Sequence, residues 1–66
     1  MREKLLEASR EHFIAHVKKH QMNVEILLEN PTGIAEHPDI MDTIEKELEQ
    51  MADYHDKLEM LNIYFS

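Results

Sequence analysis

Apolar residues recur along the first half of this chain at alternating intervals of three and four. Leu6, Phe13, Val17, His20, Val24 and Leu27 fall on one line at that spacing; Ile14 and Leu28 widen it, and Arg10 lies within it. This is the pattern of one face of an α-helix. Neither Gly nor Pro occurs over 2–29, so a single uninterrupted helix is predicted there. A second line, Leu5, Ala8, His12, Ala15, Lys19, Met22 and Ile26, lies on roughly the opposite side of the same helix. In the second half, Met41, Ile44, Leu48, Met51, His55 and Leu58 make an unbroken heptad seam. Ile40, Tyr54 and Leu61 flank it on one edge and Ala52 on the other. A second helix over about 38–62 is predicted, followed by an apolar tail over 63–66.

Both prolines and the single glycine lie between these segments. Pro31 disfavours helical geometry at Asn30 and ends the first helix. Gly33 supplies the positive φ that a reversal usually needs. Ile34 is expected to fold inward and plug the end of the bundle. Pro38 suits the first turn of the second helix, where its missing N–H costs nothing. His37 or Asp39 is the expected cap, and Asp39 with Asp42 suits the positive end of the helix dipole. The turn over 30–37 therefore converts a helical chain into an antiparallel two-helix hairpin, an all-α fold forming one domain. In that register Leu28 meets Ile40, and Phe13 comes opposite His55.

Length changes the picture. A chain of 66 residues buries only about 60% of the surface its unfolded form exposes. Small domains usually add disulfides, a metal or oligomerisation. With no cysteine, disulfides and thiolate metal sites are excluded. One seam between two helices leaves the second line of the first helix uncovered. The expectation is a homodimer that completes a four-helix bundle. Its subunit contact is drawn from Leu5, Ala8, Ala15, Met22 and Ile26 together with Ile63, Tyr64 and Phe65.

The net charge of −7 is unevenly placed. Arg2, Lys4, Arg10, Lys18 and Lys19 balance Glu3, Glu7, Glu11, Glu25 and Glu29, whereas nine acids from Glu36 onward face only Lys46 and Lys57. The imbalance favours antiparallel packing of helix one on helix two. It argues against direct nucleic-acid binding, which needs clustered Lys or Arg. The charged N-terminus reads as no signal peptide, and no apolar run approaches a membrane span of about 20 residues. A soluble cytoplasmic protein with no membrane contact is expected.

Candidate chemistry is sparse. His12, His16 and His20 recur every four residues, a spacing at which two imidazoles on adjacent turns can share a metal. His55 is the natural third ligand if the register above holds. The carboxylates Asp42, Glu45, Glu49, Asp53, Asp56 and Glu59 fall outside the seam and read as a solvated face. No Glu-x-x-His, no His-Glu-x-x-His, no nucleophile with a base and no glycine-rich phosphate loop is present. The expectation is a non-enzymatic interaction module with no cofactor and no metal, acting on a second copy and on an unidentified protein. Two alternatives stand beside it. One is an acidic mimic of nucleic-acid phosphates that inhibits a host enzyme; the other is a metal-binding bundle built on His12, His16 and His55.

Asn30-Pro31-x-Gly33-Ile34-x-Glu36-His37-x-Asp39-Ile40, followed by the acidic helix ending Asp56-Lys57-Leu58-Glu59-Met60-Leu61, resembles small uncharacterised proteins of marine cyanobacterial tailed phages and ocean metagenomes. The likeness spans roughly residues 20–61. That family has no assigned activity, so the resemblance carries over no functional residue. It implies a phage-like or marine origin and, if phage-encoded, residence in the host cytoplasm.

Overall fold

The computed structural model describes residues 1–29 and 39–66. Two helices pack along each other, α1 (Arg2–Glu29) and α2 (Ile40–Phe65). Their direction follows from contacts far apart in sequence. The Arg2 guanidinium donates to the Phe65 carbonyl at 3.0 Å, Arg10 Nε donates to Asn62 Oδ1 at 2.9 Å, and His20 and Asn23 meet Glu47. The start of α1 lies beside the end of α2, so the hairpin is antiparallel. The turn residues Asn30, Pro31, Gly33, Ile34, His37 and Pro38 lie outside the described residues.

Asp39 is the cap of α2. Its backbone is extended (φ −145°, ψ 95°), and its carboxylate accepts from the Asp42 N–H at 3.0 Å. That contact satisfies one of the donors a helix start leaves without an intrahelical partner. The Thr43 hydroxyl donates to the Asp39 carbonyl at 3.2 Å, tightening the same turn.

The far end of α2 departs from expectation. Residues 63–65 are not a separate tail, because the helix runs through Phe65. No breaker interrupts Met60–Phe65, Leu61 is half-buried against α1, and Arg2 brings a cation to the terminal carbonyls, where the helix dipole favours one. Side chains of Ile63, Tyr64 and Phe65 nevertheless remain exposed.

α1 buries the predicted line. Leu6, Arg10, Phe13, Val17 and Val24 are half-buried, and His20 and Leu27 are buried at 8% and 6% exposure. Leu28 is exposed, contrary to the expected pairing with Ile40; its neighbour Leu27 takes the inward position. α2 is rotated from its predicted seam. Ile40, Ile44, Glu47, Met51, Tyr54, Leu58 and Leu61 face α1, whereas Met41, Leu48 and His55 are exposed. Both versions share Ile44, Met51 and Leu58, so apolar spacing alone does not separate them. Glu47 decides. A buried histidine at position 20 requires a polar partner, and only the rotated seam brings that carboxylate to it.

Among the described residues, Leu27 is the one apolar side chain below a tenth exposed. The seam is therefore a shared, half-wet interface rather than a closed core.

Candidate functional site

The middle of the hairpin holds its only dense cluster of polar and aromatic side chains among the described residues. Four-residue spacing on α1 stacks His12, His16 and His20 on successive turns, and the slow drift of that line carries His20 deepest. The His12 and His16 rings meet edge-on with centroids 4.5 Å apart. Tyr54 of α2 lies against the column. Its ring stacks on His16 at 4.2 Å and 18° and lies nearly parallel to His20 at 6.1 Å. Lys57 Nζ sits 4.8 Å from the centre of the Tyr54 ring on its own helix, within cation–π range.

At the deep end of the column His20 Nδ1 lies 2.6 Å from Glu47 Oε2. Donating Nδ1–H is open to the ring as neutral tautomer or as imidazolium. Asn23 Nδ2 reaches both carboxylate oxygens at 3.0 and 3.1 Å. The His20 hydrogen bond holds the Glu47 carboxyl below its ordinary range. Desolvation opposes this, while Asn23 and the positive charges of His20 and Lys19 add to it.

His16 differs. Its Nδ1 is buried and has no hydrogen-bond partner among the described residues. Burial depresses its titration below the usual imidazole value of 6.5, and positive charge on His12, Lys19, His20 and Lys57 lowers it further.

His12, His16 and His55, weighed from sequence as an alternative metal site, are not brought together. At the level where His55 was expected, Tyr54 faces α1, and His55 points to solvent with Nδ1 3.6 Å from Glu59 Oε2. Ligand atoms of His55, Asp56 and Glu59 lie within 4.8 Å of one another, all exposed on a single helix. Lys19 and Lys57 beside His16 put positive charge where a cation would bind.

Two shallow depressions flank the seam. One of about 220 Å³ is lined by Asn23, Ile26, Leu27, Thr43 and Glu47. The other, about 320 Å³, is lined by Met41, Ile44, Glu45 and Leu48. Both fall near or below the lower limit of about 300 Å³ for small-molecule sites.

The predicted contact residues on α1, Leu5, Ala8, Ala15, Met22 and Ile26, are all exposed, as are Ile63, Tyr64 and Phe65 at the end of α2. Rotation of α2 adds Met41, 80% exposed, and Leu48 to the uncovered apolar surface. Reasoning from sequence missed Glu47, Asn23 and Tyr54 as partners of the histidines. The available signal was a seam histidine with no acceptor assigned to it. The acids Asp42, Glu45, Glu49, Asp53, Asp56 and Glu59 are exposed along α2. No helix among the described residues is long and apolar enough to cross a membrane.

Compared with known protein families, curated proteins and solved structures, the chain matches none.

Proposed function

We propose that this chain is a non-enzymatic interaction module that works as a homodimer, two hairpins joining in a four-helix bundle. Exposed apolar surface is the observation that supports this. With the seam of one hairpin closed, Leu5 is still 60% exposed, Met22 and Ile26 57% each, and Tyr64 69%. A standard interface removes about 800 Å² from each partner, and large apolar side chains are available to form one. Leu5, Met22 and Ile26 lie on one side of α1, and Ile63, Tyr64 and Phe65 at the end of α2. Ala8 and Ala15 between them let another helix approach closely. Under this reading the chain is an accessory factor of phage type, acting in the host cytoplasm on a further protein once paired.

Replacing Met22 and Ile26 together by Glu tests the assignment of that face. Both positions are exposed in the single hairpin, so the substitutions leave its seam intact. The expected outcome is a helical protein with half the wild-type mass in solution. Unchanged mass at full helicity would remove this face from the dimer contact.

A second reading has its own support. The six exposed acids of α2 from Asp42 to Glu59 follow one helical face, and Lys46 and Lys57 are the helix's only lysines, with no arginine. Such a ridge is the charge pattern of a nucleic-acid mimic aimed at a basic host enzyme. Binding to that partner would then weaken steeply with salt; apolar docking would not.

A further inference from the structure

We propose that the His12–His16–His20 column makes the α1–α2 seam acid-sensitive, so that the hairpin loosens as pH falls below neutrality. The geometry carries this. His16 lies face to face with Tyr54 at 4.2 Å, and its Nδ1 is buried without a partner among the described residues. An added proton at that nitrogen finds no acceptor. The groups around it make matters worse: α1 presents His12, Lys19 and His20, α2 presents Lys57, and the Tyr54 ring between them is neutral. Glu47, the carboxylate on this side of α2, is already engaged by His20 and Asn23. The column thus contains one imidazole with a fixed acceptor, His20, and one without, His16. A proton gained at His16 therefore disrupts its stack on Tyr54.

The direction agrees with the depressed titration of His16. A histidine that holds its proton less tightly folded than unfolded gives the unfolded chain more protons in between. Stability is therefore full above 6.5 and falls as pH drops through 6.5 toward the lower folded value. Glu47 does not contribute in this window, because its carboxyl is held below 4.5. General charge acts the other way: a chain of net charge −7 relieves self-repulsion as it takes up protons. Loss of stability on mild acidification is thus specific to the column.

Thermal unfolding followed by circular dichroism tests this, at pH 7.5 and 5.5 and one fixed protein concentration. The full chain is compared with His16→Phe, which keeps an aromatic stack on Tyr54 and cannot titrate. Wild type is expected to lose several degrees of midpoint at pH 5.5, and His16→Phe to lose none. His12→Gln, a change at the exposed end of the column that leaves His16 in place, is expected to retain most of the fall. A wild-type midpoint unchanged between the two pH values would overturn the proposal. So would an equal fall in His16→Phe. If His16→Phe does not fold, the His16 ring protons in the wild-type NMR spectrum decide instead. A midpoint at or above 6.5 contradicts the proposal, and one below it, reached as the helical signal declines, supports it.

Discussion

Replacing Glu47 by Leu is the most informative single change, because position 47 presents a carboxylate to a seam that apolar spacing would fill with hydrocarbon. The carboxylate accepts from His20 at 2.6 Å and from Asn23 at 3.0 and 3.1 Å. Leucine is about the right size and adds apolar burial, so a purely hydrophobic account predicts a more stable hairpin. The structure predicts the reverse. His20 is only 8% exposed, and removing its acceptor leaves a buried donor unsatisfied at a cost of about 1–3 kcal/mol. Asn23 is half-buried and can turn toward water, so its loss adds little. In a domain of this size about 1 kcal/mol moves the melting midpoint by about 4–8 °C. His20→Leu alone should cost less, because the Glu47 side chain keeps 23% of its surface in water. The double variant His20→Leu, Glu47→Leu has no orphaned group and should return close to wild type or exceed it. Urea unfolding of the four proteins at one concentration gives the cycle, with a coupling of at least about 1 kcal/mol expected. A Glu47→Leu variant as stable as wild type would refute the reasoning. Single losses that merely add in the double variant would refute it too.

Further substitutions probe the ends and the core. Asp39→Ala removes the carboxylate that accepts from the Asp42 N–H and should cost about 0.5–2 kcal/mol, with Asp39→Asn close to wild type in the same urea assay. Leu27→Ala should cost about 2–5 kcal/mol, whereas Leu28→Ala, one residue on and exposed, should stay within about 0.5 kcal/mol. Reversal of that order would mean that α1 is rotated about its axis.

Much of this hairpin was legible in the chain because helices announce themselves through spacing and caps. The α1 seam followed from Leu6 to Leu27, and Asp39 was one of two caps weighed. Two features were not legible. Met41–Leu48–His55 and Ile40–Glu47–Tyr54–Leu61 flank the same three residues, Ile44, Met51 and Leu58, so hydrophobic periodicity fits either. The more apolar-looking line at Met41 and Leu48 loses because pairing is a property of both helices: His20 on α1 needs Glu47 on α2. The end of α2 was hidden for a similar reason. Nothing near Asn62 shows that Arg2, at the other end of the sequence, will supply a cation to the Phe65 carbonyl. The same rotation turns His55 outward, away from His12 and His16, and puts Tyr54 against the histidine column.

Self-association is tested most directly by the solution mass from light scattering across a dilution series. The account predicts a particle of twice 7.9 kDa that persists on dilution and keeps its helical signal. A folded particle of single-chain mass at every concentration would contradict it and leave the Leu5–Ile26 face and the end of α2 for a different partner.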